Sequence, residues 1–325
     1  MANLETVYLG MELRNPVIIS SSGLTNSVEK IKKLEKAGAG AVVLKSLFEE
    51  QINYETGRLM LDTDYPEASD YLSVYTRENS IEEYLKLISD AKREVSIPVI
   101  ASINCISSDE WVDFARKIEE AGADALEINV YVLPTNKNAQ TAEYENVYFD
   151  LAGKIRKAID KPVAMKLGNH FTNILAIINR LNAAQINGVV LFNRFYEPDI
   201  DIEKMRIVSS EVFSSPSDIR QSLRWIGIVY DKIPKIDLAA STGIHDGNGV
   251  IKQLLAGAKV TQICSTIYKN GVGQIGRILQ DLNSWMDKHS YENIDEFRGK
   301  LSYKSLADPT HYERSQFMKY FSSIQ

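Results

Sequence analysis

The sequence predicts an α/β protein built as a (β/α)8 barrel, the TIM-barrel architecture, on two observations. Short β-branched runs alternate with longer amphipathic stretches along the chain, and eight such runs occur. The runs are almost continuously apolar, the pattern of strands buried on both faces in a parallel sheet covered by helices.

In chain order the runs are PVIISSSG (16–23), AGAVVLKS (39–46), IPVIASIN (97–104), ALEINVYV (125–132), PVAMKL (162–167), NGVVLFN (187–193), IDLAAST (236–242) and VTQICST (260–266). Between them lie SVEKIKKLEKAG, SIEEYLKLISDAKREV, SDEWVDFARKIEEAG, ENVYFDLAGKIRKAI, TNILAIINRLNAA, SDIRQSLRWIGIVYDK and GNGVIKQLLAG, which read as helices. Several stop at a glycine, as in AGAGA and AGADA, the usual punctuation before a chain re-enters a sheet. Right-handed crossovers through eight βα units favour a closed barrel. An open doubly wound sheet is the alternative, but the G-x-G-x-x-G turn that usually follows its early strand is absent. Two longer connections, 47–79 and 194–214, follow strands two and six, where barrels carry lids or substrate walls. The 325 residues are read as one domain, with a polar and aromatic tail from about 290 expected to pack outside the barrel or on a partner.

Apolar residues make up 44% of the chain and charged ones 25%, the composition of a soluble globular protein. A formal charge of -6 without any basic run argues against a nucleic-acid partner. The stretch MANLETVYLG lacks a charged segment followed by an apolar one, and no run approaches the roughly 18 apolar residues of a membrane span. A cytoplasmic protein is expected. Cys105 and Cys264 lie within IASINCI and TQICSTI, which suits buried reduced thiols, and no metal site is expected from two cysteines.

Barrel active sites form at the carboxyl ends of the strands, so the residues that close the runs are the candidate site. They are Ser21, Ser22 and Gly23; Lys45 and Ser46; Asn104; Asn129; Lys166; Asn193; Ser241, Thr242 and Gly243; Ser265 and Thr266. One polar residue at a strand end is ordinarily a capping or solvated group, but eight sets together point to a ligand. An ammonium at the end of an apolar strand must find an anion or an acceptor, which singles out Lys45 and Lys166. Two chemistries suit them: the Schiff-base lysine of a lyase, or a fixed cation beside a flavin, whose reduced ring carries negative charge around N1 and the C2 carbonyl. AASTGIHDGNG and ICSTIYKNGVG put hydroxyl or glycine residues at a strand end and then open a helix, which suits a phosphate, although plain capping by Ser, Thr and Asp has the same pattern. FMN is the ligand that uses the whole set.

NPVIISSSGLT, AGAVVLKS, PVIASINC, GADALEIN and PVAMKL, with YENIDEFRGKL near the carboxyl end, resemble the dihydroorotate dehydrogenase family over nearly the whole chain. The resemblance is to its soluble class and to the pyrimidine-site barrel of dihydropyrimidine dehydrogenase. It implies an FMN-dependent oxidoreductase of pyrimidine metabolism, a homodimer acting on a small molecule. It assigns Ser22, Gly23, Lys45, Asn129 and Lys166 to FMN; Thr242, Gly243, Ile244, Cys264 and Ser265 to its phosphate; and Asn193 to flavin and substrate.

The sequence departs from the family where the substrate is handled. Family members typically read N-L-S-C-P-N or its serine form after the fourth strand, and that cysteine or serine takes the substrate proton. Here Asn129 is followed by Val130, Tyr131, Val132, Leu133, Pro134, Thr135 and Asn136. The base position falls on Val132 or Leu133, neither of which accepts a proton. Tyr131, Thr135 or a residue of the 47–79 connection would have to replace it. The family's N-x-x-G-L-P-N loop has no counterpart around DYLSVYTRENS, and Arg194 stands where a small hydroxyl residue often follows the sixth-strand asparagine. Each lost amide contact leaves a ring donor or acceptor unpaired, at about 1–3 kcal/mol. The expected function is an FMN-binding CH–CH oxidoreductase with a degraded orotate site. The alternatives are a non-catalytic flavoprotein, a true dihydroorotate dehydrogenase with a displaced base, and a flavin-free Schiff-base lyase.

Overall fold

The computed structural model describes residues 2–48, 68–104, 109–194 and 197–313. Eight parallel strands form the barrel wall, β1 (Val17–Ile19), β2 (Ala41–Val43), β3 (Val99–Asn104), β4 (Ala125–Asn129), β5 (Val163–Leu167), β6 (Gly188–Leu191), β7 (Asp237–Ser241) and β8 (Val260–Ile263), and a short run, Leu47–Phe48, adds a further parallel pairing to the end of β3. Each pairs with the next, and β8 returns to β1 through Thr261 opposite Val17, so the sheet closes into a (β/α)8 barrel. All eight expected runs are strands of it, shortened at their ends.

The helices on the outside are α1 (Val28–Lys36), α2 (Ala68–Glu94), α3 (Asp109–Glu120), α4 (Thr141–Ala158), α5 (Ile174–Ala183), α6 (Ile219–Lys232) and α7 (Gly247–Ala256), then α8 (Ser265–Asn270) and α9 (Gln274–Lys288). The glycine stops behave as read: Gly38 and Gly122 take positive φ just beyond α1 and α3. Two features go beyond the sequence rhythm. Helix α2 begins at 68, well inside the connection read as 47–79, because no glycine or proline interrupts the stretch from Ala68 to Val95. Helix α9 is an added element whose buried Ile275, Ile278, Leu282 and Met286 mark one helical face. The 194–214 connection contains an antiparallel hairpin, Pro198–Asp201 with Arg206–Ser209.

Side chains alternate along each strand, and this alternation divides the core in two. Leu126, Ile128, Met165, Leu167 and Ile263 pack between strands and helices. Ala125, Ala164, Val190, Ala239 and Val260 form a second cluster inside the barrel. That inner cluster is closed from below by an amino-terminal hairpin, Thr6–Tyr8 with Met11–Leu13, whose Tyr8, Leu9 and Leu13 belong to it. The Leu9 amide donates to Asp237 at 2.7 Å, pinning the hairpin to the start of β7.

The carboxyl-terminal tail packs on the outside of the barrel. Phe297 is fully buried against Trp285, and the amides of Gly299 and Leu301 donate to the carbonyls of Leu254 and Leu255 in α7. Among the described residues no helix is long and apolar enough to cross a membrane. Cys105 lies outside the described residues, as does the 49–67 part of the second connection. Cys264 corrects the expectation of a buried thiol: it is half-buried, because β8 ends one residue earlier and Cys264 opens α8 at the barrel's mouth.

Tyr8 gives a discriminating test of the plug. Its hydroxyl is buried without a hydrogen-bond partner, and its ring fills the barrel bottom. Tyr8→Ala is expected to lower stability by about 3–5 kcal/mol through the cavity it leaves. Tyr8→Phe, which removes only an unpaired buried hydroxyl, is expected to be neutral or stabilising. Urea unfolding midpoints of the two variants distinguish a packed plug from a polar anchor.

Candidate functional site

A cavity of about 590 Å³ opens at the carboxyl ends of the strands, a size ordinary for a small-molecule or cofactor pocket. Ser20, Lys166 and Gln262 supply its floor, since the inward positions of β5 and β8, and the residue just after β1, meet there. The Lys166 ammonium donates to the Ser20 hydroxyl at 3.1 Å and to the Gln262 amide oxygen at 3.2 Å, and it lies 3.7 Å from the Glu127 carboxylate. Gln262 donates its amide N–H to the other Glu127 oxygen, and the Ser20 hydroxyl donates to the Gln262 oxygen at 3.2 Å. Lys166 is 6% exposed and Glu127 1%.

One side of the cavity is the turn after β7, with Ser241, Thr242, Gly243 and Ile244, joined by Cys264 and Ser265 after β8. Thr242 and Gly243 both hold left-handed backbone, with φ of 75° and 79°. The threonine is anchored there by its hydroxyl, which donates to the Phe192 carbonyl at 3.0 Å. A Cβ on Gly243 would lie 2.1 Å from the Ile219 backbone nitrogen, so only glycine fits. Asp246 caps α7, accepting from the Gly249 amide at 2.8 Å. The plain capping role therefore holds for Asp246, and the turn before the helix is what lines the cavity.

The opposite wall is the far end of the β6–α6 connection. Ser214 is tied to the turns after strands seven and eight three ways: its amide donates to the Ser265 hydroxyl at 3.0 Å, its hydroxyl pairs with His245 Nε2 at 3.0 Å, and its carbonyl accepts from Lys269 at 2.9 Å. Burial, with the Lys269 charge adding to it, holds His245 below the usual imidazole range. Arg194 spans the connection, donating to the carbonyls of Glu211 and Val212 and pairing with Asp218 at 3.0 Å. The long cation that replaces a small hydroxyl residue thus latches the hairpin's base to the start of α6.

Nine of the expected cofactor residues line this cavity: Ser22, Lys166, Asn193, Ser241, Thr242, Gly243, Ile244, Cys264 and Ser265. Burial pushes the Cys264 thiol up, opposed by a hydrogen bond with Ser22 and the charge of Lys166, so it is a neutral thiol in this site. The other five stand behind or beside the lining. Asn129 accepts from the Asn193 side-chain amide at 2.9 Å. Asn104 pairs with Asn129 across β3 and β4. Ser46 is buried in a hydroxyl chain from Ser21 at 3.0 Å to Ser102 at 2.7 Å. Lys45 is half-buried at the end of β2, and Gly23 lies beneath the Tyr268 hydroxyl.

Of the candidate replacements for the base, Tyr131 and Thr135 do not line the cavity, and the 49–67 part of the third, the 47–79 connection, lies outside the described residues. Tyr131 lines a smaller adjoining space of about 350 Å³ that shares Asn193, Arg194, Glu197, Ser241 and Thr242 with the first. Its ring packs edge-on against His170, with centroids 5.1 Å apart. Burial, with the Glu197 charge, raises the Tyr131 phenol further above its ordinary range, which disfavours the phenolate a base needs. Val132 is half-buried, while Leu133 and Thr135 are exposed, and none of the three lines either cavity.

Sequence reasoning missed Glu127, Gln262 and Ser20, although each stands two residues before a chosen residue, Asn129, Cys264 and Ser22, on the same strand face. The 194–214 connection, read as a lid or substrate wall, does line the cavity through Ser210–Ser214. Among the described residues no cluster of three or more His, Cys, Asp or Glu side chains is arranged to hold a metal ion.

A family model described as dihydroorotate dehydrogenase matches residues 3–286. Proteins named dihydroorotate dehydrogenase B (NAD(+)), catalytic subunit, are similar along nearly their whole length. That of Thermoplasma volcanium is 28% identical over 305 residues, covering 92% of this chain and 98% of that protein. That of Methanocaldococcus jannaschii is 26% identical over 297 residues, with coverage of 88% and 94%. That of Brachyspira hyodysenteriae is 27% identical over 310 residues, with coverage of 92% and 99%. With the match spanning the whole barrel and the cavity at its mouth, the chain belongs to the dihydroorotate dehydrogenase family.

Proposed function

We propose that the chain is an FMN-binding oxidoreductase of the CH–CH type whose site no longer handles dihydroorotate efficiently. The observation that carries this reading is the cavity itself, with a buried ammonium in its floor and the left-handed Thr242–Gly243 turn in its wall. Floor and wall fit the two ends of FMN. Lys166, Ser20, Ser22 and Asn193 offer donors and acceptors to a polar ring, while Thr242, Gly243, Ile244 and Ser265 offer small, polar or backbone groups to a phosphate. When bound, the flavin supplies hydride acceptance.

The chain's own residues supply binding, orientation and exclusion of water. Arg194 and Ser214 fix the wall, and Lys166 presents a cation to the ring. Among the described residues no ready proton acceptor stands at the expected position, because Val132 and Leu133 are aliphatic and Tyr131 and Thr135 stand outside the main cavity; the third candidate source, the 47–79 connection, lies outside the described residues over 49–67. A missing general base removes roughly 10²–10⁴ in rate. The Schiff-base reading is disfavoured at Lys166, whose amine is committed to Ser20, Gln262 and Glu127, and Lys45, the other lysine it named, does not line the cavity. The homodimer expected from the family resemblance and the cytoplasmic placement expected from the sequence belong to this same reading, the former checked by sedimentation.

The purified protein, reconstituted with FMN if needed, is expected to show a flavin band near about 450 nm that dihydroorotate does not bleach within minutes under anaerobic conditions. Absence of bound flavin sinks the assignment; prompt bleaching to orotate shows that a base is supplied from elsewhere in the chain. Gly243→Ala is expected to weaken FMN binding at least tenfold by calorimetry, since the added Cβ pushes the turn away from the Ile219 backbone. Unchanged affinity would remove that turn from the phosphate site.

A further inference from the structure

The cavity floor contains a charge that the flavin reading does not use. Glu127 lies one layer below the cavity, on β4, and water does not reach it. From below, the plug places the buried Tyr8 ring in the inner cluster, and the Glu127 and Asp237 charges add to burial in pushing the Tyr8 phenol well above its ordinary range. From the side, Gln262 donates to one carboxylate oxygen, and the other has only the Lys166 ammonium, at 3.7 Å. Within the floor, Ser20 and Gln262 accept from the same ammonium. Every group around the lysine therefore lies beneath or beside it, and the cavity is the only open direction left to it among the described residues.

A lone buried ammonium favours any ligand that gains negative charge above it, whereas a carboxylate behind it cancels part of that field. We propose that Glu127 is a positioning residue that holds Lys166 in the floor and offsets its charge, so that the pair, not the lysine alone, sets how strongly the site favours a negatively charged ring. This rests on the flavin reading above. It is a specificity device as well: a floor of near-zero net charge leaves the cavity open to neutral rings that a bare ammonium would not select.

The test uses the FMN-loaded full chain and sulfite as the probe, because sulfite binding to a flavin puts negative charge on the ring. Glu127→Gln preserves shape and a Gln262 acceptor while removing the charge. It is expected to bind sulfite at least tenfold tighter than the wild type and to raise the two-electron midpoint potential, a tenfold change in the equilibrium constant corresponding to about 30 mV. Glu127→Asp, which keeps the charge, is expected to stay within about threefold of the wild type by the same electrostatic reasoning. If Glu127→Gln fails to fold, Lys166→Gln is compared with Lys166→Gln/Glu127→Gln. The double variant is expected to bind sulfite at least tenfold tighter than the single one, because the uncompensated carboxylate is gone. Equal sulfite affinities in either comparison overturn the proposal while leaving the flavin reading intact. A wild type that takes up no flavin overturns both.

Discussion

Closure of the parallel sheet is the constraint from which the rest of the molecule follows. Once β8 pairs with β1, every second residue of every strand is forced into an interior that water does not enter. Apolar side chains from alternate strands fill the lower part of that interior, and Tyr8 and Leu9 seal it. One turn of the alternation higher, the same geometry brings Glu127, Lys166 and Gln262 together from three strands. Two opposite charges at that depth are tolerable only because they lie 3.7 Å apart and are bridged by an amide that touches both.

The open side of the barrel is shaped by segments that are not part of the strand rhythm. The 194–214 connection leaves β6, forms a hairpin, and returns so that Ser214 meets Ser265 and His245, which follow β8 and β7 at the same mouth of the barrel. Arg194 closes the base of this excursion through two carbonyls and Asp218. A residue that looks like a lost substrate contact in the sequence is thus a structural latch, and the cavity owes one wall to it.

The cavity and the segment after β4 differ in chemistry. The floor presents a buried ammonium and the turn after β7 a left-handed Thr242–Gly243 pair, whereas the segment after β4 presents the aliphatic Val132 and Leu133, which do not line the cavity. On barrels the strand ends form the floor of the site and the loops after them decide what meets a ligand. Burial also keeps Tyr131 and Cys264 protonated, so neither supplies a ready base at neutral pH.

The sequence by itself determined the eight strands, because strands buried on both faces must be apolar throughout, and it determined the residues at their ends, because a closed barrel exposes only those ends to a ligand. It also showed the glycine stops of α1 and α3. Only the tertiary structure decided which strand-end residues line the cavity and which stand behind it, as Asn129 does behind Asn193. It alone joined Glu127 to Lys166, and Ser214 to His245, since these pairs are far apart in sequence. The physical reason is range: local pattern records which face of a strand a residue occupies, whereas the distance between two such faces is set by closure of the whole sheet.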